Sequence, residues 1–252
     1  MGALSAAGGF STAAGTSAPL RTVFARAAIG RLAELARSDG DPKTKRVVAL
    51  DAGTGILVGQ LARAGLNCWA LDPQQNLALQ IRRSLPQVAV GCASMTALAA
   101  QTGTIDLVCV GALEEQPEPE LVLAEARRVL RPGAVCAQVV NRVDLSVAWI
   151  RDLSELGAID CDARLDAGAF AATLEGFSDL TKESFANPFR TSVDVELDRA
   201  GSTARRLAMS EAEQRALLAT AKELLAAHTE STDSTGALEF PQNTVLRYWR
   251  AV

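Results

Sequence analysis

Between Arg46 and Val140 short apolar runs alternate with amphipathic stretches. "RVVAL" (46–50), "NCWALD" (67–72), "VAVGC" (88–92), "TIDLVCV" (104–110) and "AVCAQVV" (134–140) are brief and rich in Val, Leu, Ala and Cys. Turn-forming residues punctuate the chain between them, which predicts strands. The fourth run is so uniformly apolar that burial on both faces is expected. Helical spacing is predicted over Ile56 to Ala64, Asn76 to Ser84 and Glu120 to Leu130; Pro86 closes the second helix and "RPG" the third. Upstream, Val23, Ala27, Leu32 and Leu35 predict a helix across 21–36, stopped by "SDGDPK". Strands alternating with helices in this way imply a mostly parallel sheet wound on both faces by right-handed crossovers.

Beyond residue 140 the pattern changes. "SVDVELDRAGSTARRLA" (192–208) and "SEAEQRALLATAKELLAAH" (210–228) predict two consecutive helices, the second opened by a Ser210–Glu213 capping box. "NTVLRYWRAV" (243–252) alternates like a closing strand. A helical pair ahead of a final strand predicts a lid, roughly 158–235, inserted into a single domain running from residue 21 to 252. Residues 1–20, rich in Ala, Gly, Ser and Thr, are expected to form a flexible segment.

A chain of 252 residues that is 48% hydrophobic is sufficient for one large core. Its formal charge of -4 leaves no basic surplus, which argues against nucleic acid or an anionic membrane as partner and in favour of a small molecule. The five cysteines (Cys68, Cys92, Cys109, Cys136, Cys161) form no CxxC pair. They read as buried thiols of a reducing compartment, with no metal site. The opening residues lack a basic n-region and an apolar h-region, and no later stretch has the ~18 uninterrupted apolar residues of a membrane span. A cytoplasmic location is expected.

The chemistry concentrates in "VVALDAGTGILVGQLARAG" (47–65), a strand running into a glycine turn and a helix. In open α/β sheets ligands bind beyond the carboxyl ends of the strands where strand order reverses. Gly53 and Gly55 let the backbone turn tightly there, and the helix N-terminus is expected to offer free amides. Asp72 closes the second strand, where a carboxylate accepts ribose hydroxyls; a strand-end cap is its other reading. The pattern fits a nucleotide-type cofactor, nicotinamide or S-adenosylmethionine. Short-chain dehydrogenases need a Tyr and a Lys on one helix turn, but the sole tyrosine, Tyr248, falls in the closing strand.

"LAEARRVLRPGAVCAQVVNRVDLSVAWIRDL" (123–153) resembles the helix, "RVLRPGG" turn and fifth strand of class I S-adenosylmethionine-dependent methyltransferases, particularly the type 11 group. The glycine loop is similar to that family's "RVLDLGAGTGKLT", residues 69–88 to its "AVEPDPAMLAVLRRALPGV", and residues 196–218 to its lid helices. The resemblance implies a Rossmann-like, doubly wound, seven-stranded α/β sheet with a C-terminal helical lid. It also implies S-adenosylmethionine as cofactor, held by Asp51, Ala52, Gly53, Thr54, Gly55, Asp72, Pro73, Ser94, Met95 and Gly111.

The departures are specific. Aligned without a gap, Ala49 stands at the family's strand-end Asp and Asp51 at its first Gly; a register shifted by two would keep Asp51 as the motif acid and lose the third Gly to Leu57. The unshifted register is preferred because Arg46 and Leu57 both fall into place. In it, Asp51 either crowds the methionine end of the cofactor or replaces the lost acid. Thr96 stands where the family places a carboxylate near the adenine amine, and Glu115 and Gln116 where it has a His-Trp pair. The N-terminal segment lacks the family's Tyr and "RPxYP" elements.

Methyl transfer from a sulfonium needs orientation and exclusion of water more than acid–base help. Where the acceptor needs a base, Glu114 or Glu115 after the fourth strand is best placed. A carboxylate acceptor would instead be oriented by guanidinium groups, with Arg142, Arg190 and Arg205 the candidates and Arg206 beside them. His228 is read as a helix-end cap, Trp69 as core or adenine-side packing, and Trp149 and Trp249 as core. The activity expected is methyl transfer to a small-molecule carboxylate or hydroxyl. The alternative is a degenerate methyltransferase-like binding or partner subunit.

Overall fold

In chain order the elements are α1 (Arg26–Ala36), β1 (Arg46–Leu50), α2 (Ile56–Arg63), β2 (Asn67–Asp72), α3 (Gln75–Ser84), β3 (Ala89–Cys92), β4 (Ile105–Val110) and α4 (Pro119–Val129). Then follow β5 (Leu130–Val143), α5 (Ala148–Leu156), β6 (Thr181–Ala186), β7 (Phe189–Ser192), α6 (Val193–Gly201), α7 (Glu211–Ala226), β8 (Ala237–Phe240) and β9 (Gln242–Arg250). The structure is a computed structural model that describes residues 23–36, 45–111, 113, 116–159, 175–201, 209–229 and 237–252. The segment 1–20 lies outside them.

Val47 and Ala49 of β1 enter one cluster of buried side chains, Val48 and Leu50 another. A strand whose alternate residues feed two cores must be apolar throughout, which is why this run does not alternate with polar residues. α1, α2 and α3 pack on the first cluster through Ile29, Leu32, Val58, Leu61 and Ile81. α4 packs on the second through Val122, Leu123, Ala126 and Val129. The seven-stranded sheet has the order β3-β2-β1-β4-β5-β9-β6. It is parallel at β3-β2, β2-β1, β1-β4 and β4-β5, so the mostly parallel, doubly wound α/β fold is as expected. Strand order reverses between β1 and β4.

The chain divides into two compact units, the first comprising Met1–Val140, Gly168–Phe185 and Thr244–Val252, the second Asn141–Ala167 and Ala186–Asn243. In the first, Glu183 ties α1 to the sheet: Arg31 Nε donates to both its oxygens at 3.0 and 3.2 Å, and the Tyr248 hydroxyl donates to it at 2.8 Å. The sole tyrosine is therefore structural. Trp249 is buried in the second cluster and Trp69 is partly buried against it.

The second unit has its own core, built from Trp149, Ile150 and Leu153 of α5, Leu217, Ala221 and Leu225 of α7, and Leu238 and Phe240 of β8. β7 and β8 pair antiparallel in a separate two-stranded sheet. The capping box at Ser210 is present in both directions, and His228 contacts the Leu224 carbonyl at 2.9 Å, as a helix-end cap should. Its ring also stacks on Trp149, with centroids 4.9 Å apart.

Several expectations need correction. β5 starts at Leu130, so Leu130 belongs to the strand and the "RPG" turn, with Gly133 at φ 77°, is absorbed into it. The strands β6, β7 and β8 were not expected. Of the cysteines, Cys68, Cys109 and Cys136 are buried and free, but Cys92 is exposed at the end of β3; Cys161 lies outside the described residues. Burial pushes the Cys68 and Cys136 thiols up to about 12, which keeps them unreactive. The first of the two expected lid helices extends to Gly201, and 202–208 lie outside the described residues.

Candidate functional site

The site is built at the switch point. Asp51 leaves β1 with φ 50°, alone among the described non-glycine residues in having a positive φ. Gly53 (φ 55°) and Gly55 (φ 81°) continue the turn. A left-handed backbone at residue 51 is what a glycine position demands, and aspartate is among the few side chains that tolerate it. Asp51 thus takes up the backbone conformation of a glycine at the start of the turn. Gly55 is further constrained by packing: a Cβ there would stand 3.2 Å from Ile81 and Leu85. Gly111, just past β4, brings the other side of the switch point close, since a Cβ on it would lie 3.9 Å from the Asp51 carbonyl.

Asp72 is fully buried beneath this turn. One of its oxygens accepts from the Gly53 amide and the other from the Gln74 amide, both at 2.8 Å. It thereby pins the glycine loop to the end of β2 and caps its own strand end. Burial raises its carboxyl above the ordinary range, the two amides oppose that, and the Asp51 charge adds to the rise. The Gly55 amide donates to Ala52 O at 2.9 Å. Two amides of the glycine turn are thus engaged, one by the end of β2 and one within the loop.

Asp51 does not project alone. Its Oδ2 accepts from Gln116 Nε2 at 3.1 Å, across 65 residues of chain. Gln116 also borders a cavity of about 500 Å³ that opens beyond the carboxyl ends of β2 and β3 and beside the start of α4. Pro73, Ser94 and Met95 of the expected cofactor set line it, together with Cys92, Thr96 and Val122. The volume lies within the ~300–1,000 Å³ typical of small-molecule sites, and the mixture of apolar floor and hydroxyl rim suits a nucleoside. Thr96, standing where a carboxylate was expected, is tied to Ser94: its amide donates to Ser94 Oγ at 3.2 Å and the two hydroxyls lie 2.9 Å apart. The loop after β3 is anchored by Glu125, which accepts from the Leu98 amide at 2.6 Å and pairs with Arg128 at 2.7 Å. The Arg128 guanidinium holds that carboxyl below its usual range.

Of the remaining expected residues, Ala52 and Thr54 are half-buried in the turn. Arg142, half-buried near the end of β5, and Arg190, exposed in β7 opposite Glu239, belong to the second unit. Glu114, Glu115 and Arg205 lie outside the described residues. Sequence reasoning missed Gln116 as the partner of Asp51 and Cys92 as cavity lining. Gln116 stood only as a mismatch to an aromatic position, and no local pattern couples it to the glycine loop.

Residues 48–137 match the family described as Methyltransferase domain. An uncharacterized methyltransferase of Mycobacterium bovis is 32% identical over 118 residues, covering 47% of this chain and 49% of that protein. A ubiquinone biosynthesis O-methyltransferase of Xanthomonas oryzae pv. oryzae is 35% identical over 110 residues, 41% of this chain and 46% of that one. The chain thus spans about half the length of the curated relatives it matches. Among solved structures, a candidate type II methyltransferase from Anaeromyxobacter dehalogenans superimposes with a TM-score of 0.67 at 20% identity, over 92% of this chain and 97% of that one. A protein from Bacillus subtilis, YcgJ, does so with a TM-score of 0.53 at 11% identity, over 90% and 100%. The matched segment runs from within β1 into β5 and contains the glycine loop and the cavity lining, and the fold is that of the superimposed methyltransferase structure: residues 48–137 are similar to a methyltransferase domain.

Proposed function

We propose that this protein binds S-adenosylmethionine in the cavity beside the glycine loop and transfers its methyl group to an oxygen of a small molecule. The observation that carries this reading is the cavity itself, bordered by the ends of β2 and β3 and by Gln116, next to a turn pinned by Asp72. When bound, the cofactor supplies a methyl group already activated by its sulfonium. The chain's contribution is to orient and to exclude water. Pro73, Met95 and Val122 offer apolar surface to a flat base, and the Ser94 and Thr96 hydroxyls offer hydrogen bonds at the rim. Asp72 has two oxygens engaged by amides, but each retains a second lone pair able to accept from a ribose hydroxyl once the loop opens enough to admit one. Arg142, Arg190 and Arg205 are the proposed partners of a carboxylate acceptor. Glu114 or Glu115 is the proposed base where the acceptor is a hydroxyl. An oxygen acceptor is favoured by the O-methyltransferase relative. The proposed arrangement is a single domain with residues 158–235 as lid, working in the cytoplasm on a small molecule without nucleic acid; among the described residues no helix is long and apolar enough to cross a membrane.

One observation favours the degenerate reading: the Gly53 and Gly55 amides are already engaged, and Asp51 fills a glycine position. Calorimetric titration with S-adenosylmethionine and S-adenosylhomocysteine separates the two. Binding of both at micromolar concentrations is expected. Absence of heat for either ligand, confirmed by equilibrium dialysis, would leave the protein as a partner subunit.

A further inference from the structure

Asp51 opens the glycine turn and Asp72 accepts from the Gly53 amide of the same turn, so two carboxylates serve one loop. Among the described residues no Lys or Arg forms a salt bridge with either. Asp72 is buried with both oxygens bound to amides, so its charge is directed into the loop. Asp51 differs. It is only half-buried, and its Oδ2 is held by Gln116 while Oδ1 takes no hydrogen bond among the described residues. Gln116 is a wall of the cavity, so the carboxylate it holds lies immediately beside the cavity's border. A half-buried anion with a fixed orientation and a free oxygen favours positive charge in its neighbourhood, and more strongly than a fully solvated one would.

S-adenosylmethionine and S-adenosylhomocysteine differ in one methyl group and in the formal charge of the sulfur, positive in the first and neutral in the second. Both carry the same base, ribose, ammonium and carboxylate. A contact made with those shared groups binds the two equally; an uncompensated anion near the sulfur does not. From the position of Asp51, held by Gln116 at the cavity's border, we infer that its carboxylate faces the cofactor sulfur and is a specificity determinant that favours the cationic, methyl-bearing cofactor over its neutral product. Asp51 is the selecting group and Gln116 the positioning residue. Discrimination of this kind lets the product leave once the methyl group, and with it the positive charge, has gone. Equal affinity would instead make the product a strong inhibitor. The inference rests on the proposed function, because it needs a site that admits both ligands.

The test is the ratio of two dissociation constants measured by calorimetry at neutral pH and low salt. The native protein is expected to bind S-adenosylmethionine more tightly than S-adenosylhomocysteine. In Asp51→Asn, which keeps the side-chain shape and tolerates positive φ, that ratio is expected to fall about fivefold or more, with product affinity nearly unchanged. Asp51→Gly, which suits the backbone better still, gives the same loss of discrimination by an independent route and covers the case in which the first variant misfolds. Gln116→Ala leaves the charge but frees its orientation, so it shifts the ratio in the same direction by less. A ratio that stays put in both Asp51 variants overturns the inference. Equal weakening of both ligands also overturns it, because that would assign the carboxylate to the shared ammonium group. Native protein that binds neither ligand sinks the proposed function and this inference together, an outcome distinct from binding without discrimination.

Discussion

At residue 51 the chain places a charged side chain on a backbone made for glycine. The left-handed conformation costs an ordinary L-residue ~1–2 kcal/mol, and aspartate less because its short polar side chain accommodates it. Asp51→Val should therefore lower stability by about 2 kcal/mol, since a β-branched residue meets the full steric penalty and also loses the bond from Gln116. Asp51→Gly removes the strain and the bond together and should leave stability within about 1 kcal/mol of the native protein. Urea unfolding midpoints of the two variants check this; equal losses in both would mean that the hydrogen bond, not the backbone, governs the position. The tight turn was legible in the sequence from Gly53 and Gly55 between a strand and a helix. The Gln116 contact was not: a hydrogen bond across 65 residues depends on β1 and β4 lying side by side, which no window of the sequence contains.

Elements divide along the same physical line. β1 and β2 were read to the residue and β4 to within one: β1 and β4 are buried on both faces and so apolar nearly throughout, and β2 is a short apolar run bounded by Asn67 and Asp72. β6, with the sequence TKESFA, alternates between exposed and half-buried positions and offers little apolar signal; its place comes from the long-range bonds of Glu183 with Arg31 and Tyr248. β7 and β8 are four residues each and lie far apart in sequence, so only their pairing defines them. In the same region α6 carries Glu196, which is 2% exposed, accepts from Thr191 Oγ1 at 2.7 Å and pairs with Arg199 at 3.4 Å. Burial outweighs both partners and raises its carboxyl above the ordinary value. The folded state therefore holds this proton more tightly than the unfolded chain does. The stabilisation is complete below the unfolded value of ~4.3 and is lost as pH rises through the raised folded one. Glu196→Gln keeps an acceptor for Thr191 and removes the titration, while Arg199 retains its place over the Phe189 ring, 5.2 Å from the centroid. The variant should gain stability relative to the native protein on going from pH ~4 to pH ~7, read as the difference in urea midpoints. A difference that does not change with pH would assign Glu196 an unperturbed proton.

On the scale of the whole first unit, the two ends of the sheet do different work. The carboxyl ends of β1, β2 and β3 hold the glycine turn and the cavity. At the amino ends charged groups are paired: Asp106 Oδ2 accepts from the Arg46 amide at 2.8 Å, while its Oδ1 faces Arg131 Nε at 2.5 Å and Lys45 Nζ at 3.8 Å. Lys45 is 5% exposed and Asp106 8%, so this pairing is a buried one that joins the starts of β1, β4 and β5. Deleting one member of such a group leaves the other charges desolvated without compensation, which costs ~3–5 kcal/mol. Asp106→Ala should destabilise the protein by that amount in urea unfolding, and Asp106→Asn by less, because the amide oxygen still accepts from Arg46. Neither change touches the end of the sheet that lines the cavity. The affinity of either variant for S-adenosylmethionine should therefore stay within about twofold of native under conditions where the fold is intact, since well-separated sites contribute nearly independently. A loss of affinity that tracks the loss of stability would instead mean that the amino ends of the strands set the geometry of the glycine turn through the sheet.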